Sequence, residues 1–257
     1  MLTFPRVLLA CILVLVQAPL SSARAAPPLP KVAIIIDDIG YQARLGEAAI
    51  ELPGPFAVAI MPFAPHSKRL AALADASEKN VILHLPMEAY TRNHLLGKGA
   101  LLASMDAEEL HATVDAALAS VPQAIGVNNH MGSLLTSNRE SMDVFMAALA
   151  QRQELFFVDS KTTSQSAVRL AASAAGVTAV ERHVFLDNEP RSKHIRNQLQ
   201  ELVKHAQKHG HALAIGHPYP ATIAALEVWD PHSVGVELIS LQDYIHWVSA
   251  KNKLAIN

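Results

Sequence analysis

The sequence predicts an α/β fold built on parallel strands, and three observations carry that expectation. Short β-branched and apolar runs alternate with longer Ala/Leu-rich segments at helical spacing. The rhythm persists to the C-terminus. The chemically unusual side chains, Asp, His and Asn, gather at the C-terminal ends of the short runs, the edge where parallel α/β architectures place their sites.

The first strand is expected over 32–36, where KVAIIIDDIG places five apolar residues ahead of two adjacent carboxylates. Further strands are expected over 57–61, 81–85, 124–127, 155–158, 183–186 and 212–215. Seven strands fit either a barrel or an open doubly wound sheet. Helices are expected in the gaps, over 43–51, 67–78, 107–120, 139–151, 165–175, 193–209 and 221–229. Asp106 with Glu109, and Ser137 with Glu140, have the spacing of a capping box ahead of two of these. The segment after Trp229 reads as an eighth strand over 234–238 and a last helix over 241–248.

The N-terminus has a different character. Arg6, an apolar run over 7–16, and small residues at Ala23 and Ala25 are the layout of a secretory signal peptide over 1–25, cleaved after Ala25. The run is shorter than the roughly 20 apolar residues that span a bilayer. It also continues past Cys11, unlike a lipoprotein signal. Residues 26–30 form a short Pro-rich linker, and 31–257 a single domain.

Cys11 is the only cysteine, so a cleaved chain has neither a disulfide framework nor thiol catalysis, which suits a bacterial periplasm or a secreted protein. The 21 basic and 23 acidic side chains include Arg6 and Arg24, which cleavage removes, and no nucleic-acid partner is expected.

The polar residues at the strand ends define the candidate site. Two carboxylates side by side repel, so Asp37 and Asp38 call for water, hydrogen-bond donors or a cation. If strand geometry continues through them they point to opposite sides, one toward a metal and the other toward substrate or water. His84 and Glu88 lie in HLPMEAY, where Pro86 keeps a strand-to-loop transition. Asn128, Asn129 and His130 lie in GVNNHMGS, with Gly126 and Gly132 allowing a sharp bend. Asp159, Ser160 and Lys161 follow the fifth run, Asp187 the sixth, and His217, suited to proton donation, the last.

Imidazoles with carboxylates suit one divalent ion of the zinc type, held by neutral His and ionised Asp with a position left open to water. His205, His209 and His211 carry less weight, because cationic groups are favourable near the end of a long helix.

Through IIIDDIG, HLPME, NNHMGS, FVDS and IGHP the chain resembles the divergent polysaccharide deacetylases, over nearly all of the expected mature sequence. The resemblance implies a deformed (β/α) barrel of about seven parallel strands and metal-dependent removal of acetyl from an N-acetylated sugar. It makes Asp37 the base, Asp38 a metal ligand and His217 the acid. The wider superfamily's His-x-x-x-His becomes His84 and Glu88 here, so the third ligand, after Asp38 and His84, is either Glu88 or His130, with His130 favoured. The superfamily's Arg-x-Pro-Tyr segment is absent and NNHMGS stands in its place. Glu88, Asn128, Asn129, Asp159, Ser160, Lys161 and Asp187 are then supporting or substrate-binding residues.

Two functions follow from this reading. The first is a periplasmic or secreted hydrolase acting on an acetylated glycan, peptidoglycan or an exported polysaccharide, with zinc as the expected ion. The second is a non-catalytic envelope protein that keeps the site for binding metal or glycan, alongside cell-wall remodelling partners. A haloacid-dehalogenase type of phosphoryl transfer is disfavoured, because it needs an Asp two positions after the first and residue 39 is Ile.

Overall fold

The computed structural model describes residues 28–152 and 154–256. The expected signal peptide and Cys11 lie outside the described residues. Among the described residues, nine strands form one sheet: β1 (Lys31–Ile39), β2 (Ala57–Ile60), β3 (Val81–Met87), β4 (Gly126–Met131), β5 (Phe156–Asp159), β6 (Ala179–Glu181), β7 (Val184–Phe185), β8 (His211–Gly216) and β9 (Glu237–Leu238). Their order is β6-β5-β4-β3-β2-β1-β8-β7, the strands pair in parallel, and β9 lies beside the start of β1. The sheet curls into an open, deformed barrel.

Among the described residues, eight α-helices cover it: α1 (Ala43–Ile50), α2 (Ser67–Ala76), α3 (Ala107–Ser120), α4 (Arg139–Ala150), α5 (Val168–Ala175), α6 (Ser192–His209), α7 (Pro220–Glu227) and α8 (Leu241–Ile256).

Strand alternation sorts the core into two layers. Along β1, Val32, Ile34 and Ile36 face the helices, while Ala33 and Ile35 face the barrel interior. The interior layer continues with Ala57 and Ala59 of β2, Ile82 of β3, Val158 of β5, and Leu213 and Ile215 of β8. Leu241, Tyr244 and Ile245 of α8 pack onto it. The same parity carries forward, so Asp37, His84 and His217 follow inward-facing apolar positions, while Asn128 and His130 share the parity of Gly126 on β4. One apolar layer thus forms the floor beneath the polar strand ends.

Several expected boundaries move. Some of the polar residues lie within longer strands rather than past them: β1 runs on through Asp37 and Asp38, β3 extends past Leu85 to Met87, β4 begins at Gly126 and includes Asn128, Asn129 and His130, and β5 ends on Asp159, while Glu88, Ser160, Lys161, Asp187 and His217 follow their strands as expected. Pro86 is tolerated because β3 pairs with β2 only as far as Leu83, so its missing N–H breaks no ladder bond on that side. The expected 183–186 strand is the two-residue β7, and β6 precedes it. The expected strand over 234–238 shrinks to β9. Asp106 and Glu109 do form a reciprocal capping box on α3, but α4 is capped by Asn138, whose side chain accepts from Ser141 N–H, rather than by Ser137.

At the opposite end of β8 from His217, four histidines cluster. The His183 ring lies 4.4 Å from that of His205 and 5.5 Å from that of His211, and the His205 ring lies 4.5 Å from that of His209. His183 Nδ1 accepts the Leu213 N–H at 2.9 Å, which requires that nitrogen to be unprotonated. Burial, helped by His205 and His211, pushes His183 down to about 4.

An unfolded imidazole takes its proton near pH 6.5, so between about 6.5 and 4 the unfolded chain binds more protons and stability falls as pH falls. We expect a loss of about 1–2 kcal/mol across that window, after allowing for the ring's partial exposure. Thermal melts at pH 7 and pH 4.5 test this: His183→Asn, which keeps an acceptor for Leu213, should flatten the difference.

Candidate active site

Asp38 does not follow the strand. Its φ is +59°, and the β1–β2 register shifts between Ile36 and Ile39, so β1 bulges at the Asp pair. The expectation that the two carboxylates point to opposite sides therefore fails: the bulge turns both into one pocket. His84 Nε2 lies 3.1 Å from Asp38 Oδ1 and 3.6 Å from Asp37 Oδ2.

Asp38 Oδ1 also lies 3.0 Å from His130 Nδ1, and the two imidazole nitrogens are 3.2 Å apart. Three donor atoms from β1, β3 and β4 thus form a nearly equilateral triangle. Tetrahedral coordination at about 2.0–2.1 Å sets neighbouring ligand atoms about 3.3–3.4 Å apart, close to these separations. Asp38 Oδ1 is buried yet has no well-aligned hydrogen-bond donor, which is the orphaned acceptor a cation would satisfy. Among the described residues, Asp38, His84 and His130 are the group able to hold a metal ion.

Their neighbours set the tautomers that ligation needs. Asn128 donates its amide to Asp37 Oδ1 at 2.8 Å, so its carbonyl oxygen faces His84 Nδ1 at 2.7 Å and accepts that ring's N–H. The lone pair of His84 is left on Nε2, toward Asp38. His130 Nε2 faces the Leu95 carbonyl at 3.4 Å, which places its N–H there and its lone pair on Nδ1.

Asn128, fully buried, couples the first Asp to His84. Asn128→Ala would strip partners from both, and we expect metal affinity to fall about 10–100-fold and stability by about 1–3 kcal/mol. Metal titration alongside denaturant melts measures both effects.

Opposite the triad stands a second pair. Asp187 Oδ1 lies 2.9 Å from His217 Nδ1, while its Oδ2 accepts the His217 backbone N–H at 2.6 Å and the Thr222 hydroxyl at 2.7 Å. His217 Nε2 faces the pocket, 3.7 Å from Asp38 Oδ2.

The electrostatics separate the groups. Burial raises the Asp37 carboxyl above its usual range, against the lowering influence of His84 and His217. Burial also opposes ionisation of Asp38, but the imidazoles of His130 and His84 beside it outweigh burial and hold its carboxyl far below the usual range. For His84, burial is outweighed by Asp37 and Asp38, and its affinity for a proton rises. His217 is pushed up to about 9, because its bond to Asp187 and the nearby carboxylates overcome burial. The two Asp side chains draw positive charge into the pocket, and a metal ion or imidazolium groups can supply it.

The remaining expected residues support rather than line the site. Glu88 turns away from the triad and accepts the Ala103 N–H at 2.7 Å, so His130 and not Glu88 stands beside Asp38 and His84. Asn129 accepts the Ser160 N–H and donates to the Met131 carbonyl. Asp159 accepts Lys161 N–H and the Ser166 hydroxyl, and Lys161 Nζ pairs with Glu181. Only Ser160 reaches the centre, with Oγ 3.4 Å from the Asn128 amide.

Four further residues escape a reading of strand ends. Thr222 anchors Asp187, Leu95 orients His130, and Arg92 lines the pocket. Arg182, between β6 and β7, donates to the Ser160 and Lys161 carbonyls and feels the charges of Asp37 and Asp159. None lies in a pattern that periodicity or spacing would single out.

Comparison with known proteins identifies the family and the shared fold. A family model described as divergent polysaccharide deacetylase matches residues 34–245. The uncharacterized protein YibQ of Escherichia coli K12 is 38% identical over 197 residues, which are 77% of this chain and 61% of that protein. The chain therefore spans less than two thirds of that relative's length. An uncharacterized Haemophilus influenzae protein is 37% identical over 197 residues, covering 77% of this chain and 70% of its own. The crystal structure of uncharacterized protein ATU2773 from Agrobacterium tumefaciens C58 superposes with a TM-score of 0.81 at 21% identity, over 86% of this chain and 91% of that one, and shows the shared fold.

Proposed function

Because the chain belongs to the divergent polysaccharide deacetylase family, we propose that it is an exported hydrolase that removes acetyl from an N-acetylated envelope glycan. The observation that carries this is the opposition of two groups across one pocket, the Asp38–His84–His130 triad with Asp37 on one side and the His217–Asp187 pair on the other.

Asp38, His84 and His130 would hold one divalent ion of the zinc type. When bound, such an ion polarises an acyl oxygen and acidifies a water. Asp37, more basic for its burial, accepts the proton from the attacking water. Asn128 keeps that carboxylate aimed and keeps His84 in the ligating tautomer. His217 carries a proton at neutral pH, holds Nδ1–H on Asp187, and gives its Nε2 proton to the departing amine. The signal-peptide layout at the N-terminus supports an exported, periplasmic setting, and zinc is the ion that the two-imidazole, one-carboxylate donor set suits.

The test is acetate release from N-acetylglucosamine oligomers by the zinc-loaded protein. Turnover that vanishes on chelation and returns with zinc supports the reading. A loaded, folded protein that binds these oligomers and releases no acetate places the site with the non-catalytic binders instead.

A further inference from the structure

The pocket over the triad is a cavity of about 420 Å³ whose wall includes Tyr41, Arg92, Leu95 and Tyr219 together with Asp38, His130 and His217. Arg92 is exposed and, among the described residues, makes no ion pair. Its backbone is left-handed, with φ +65° and ψ 26°, an uncommon state for a long side chain.

The loop that carries it is seated at several points. Asn93 Oδ1 accepts the Ala89 N–H at 2.8 Å, and the Leu95 carbonyl meets His130. Gly97, at φ +81°, lies so close to Tyr41 that an added Cβ would be 2.4 Å from its hydroxyl. Gly99 is pressed in the same way against Phe63. Arg92 is therefore held at the rim of the pocket rather than on a free surface loop.

A neutral acetamide gives such a cation no partner. Asp37 and Asp38 already have their compensation in the imidazoles and the ion they would hold, so Arg92 adds unmatched positive charge at the mouth. A guanidinium there is suited to a carboxylate, which it can grip with two parallel hydrogen bonds. Tyr41 and Tyr219, 47% and 40% exposed, present ring surface to a sugar beside it.

We propose that the site selects an N-acetylated glycan bearing a carboxylate close to the acetamide, and that Arg92 is the specificity-determining residue that reads it. This rests on the glycan-hydrolase reading above. Arg92 touches neither the triad nor the His217–Asp187 pair, so its role is recognition.

The experiment compares a neutral N-acetylglucosamine oligomer with an oligomer of the same length in which alternate sugars carry a lactyl ether carboxylate. Binding of both to zinc-loaded Asp37→Asn protein is measured by calorimetry at low and high salt, and acetate release is measured with the wild type. The carboxylated glycan should bind roughly 10-fold tighter or better, as a charge-assisted contact implies. That advantage should shrink with salt, disappear in Arg92→Gln and survive in part in Arg92→Lys. Equal binding of the two glycans, or a preference that Arg92→Gln leaves intact, overturns the proposal, while acetate release would still uphold the hydrolase. An Arg92-dependent preference without acetate from either glycan keeps the recognition and removes the hydrolysis.

Discussion

An Asp37→Asn protein is expected to hold zinc as the wild type does and to lose acetate release by about 10²–10⁴-fold, the usual contribution of a positioned general base. The substitution preserves shape, and an Asn at 37 can still present an oxygen to the Asn128 amide now bonded at 2.8 Å. It cannot take a proton. Asp37 is only 3% exposed and its carboxyl is more basic than usual because burial disfavours the charged form, which suits it to remove a proton from water at neutral pH. Acetate assays, metal analysis and a melting curve on the same preparation separate the outcomes. A folded, metal-loaded Asp37→Asn protein working at the wild-type rate excludes Asp37 as the base.

The second large effect is expected at Asp187. Its two oxygens take three bonds, from His217 Nδ1, the His217 backbone and Thr222, and an Asn in its place must turn amide hydrogens toward at least some of those donors. We expect kcat to fall about 10²–10³-fold through loss of acid assistance, and stability to fall by about 1–3 kcal/mol from unpaired buried groups.

A pH profile distinguishes this role from a merely structural one. His217 is pushed up to about 9 with Asp187 as the main support, and an acid works only while protonated. Removing the Asp187 charge lowers His217, so the falling alkaline limb of the rate should move to lower pH. An Asp187→Asn enzyme with its alkaline limb in the wild-type position would contradict the pairing.

Much of this site is legible in the sequence because it obeys strand parity. Ala33, Ile35 and Asp37 share one face of β1, as Ile82 and His84 share one of β3, and Leu213, Ile215 and His217 one of β8, so the inward apolar residues lead to the inward polar ones. Asp38 breaks the parity. Its positive φ is a local backbone event that no alternation rule predicts, and the opposed-sides expectation failed there.

His130 could be chosen over Glu88 only in part from sequence, since both follow strands. The deciding fact is that Glu88 spends its carboxylate on the Ala103 N–H, a contact across 15 residues. Asn138 rather than Ser137 caps α4 because a short 3₁₀ turn over Leu135–Ser137 shifts the helix start. Arg92 and Leu95 act through the folded path of a loop, and Arg182 through the two-residue link between β6 and β7. Such positions carry no periodic signal.

If Asp38, His84 and His130 form one metal centre, metal content shows it most directly. The purified protein, incubated with zinc and dialysed, should hold close to one equivalent. Asp38→Ala and His130→Ala should lose it, and Glu88→Ala should keep it. Wild-type protein that stays metal-free, or a His130→Ala protein that remains loaded while Glu88→Ala empties, would contradict the site described here.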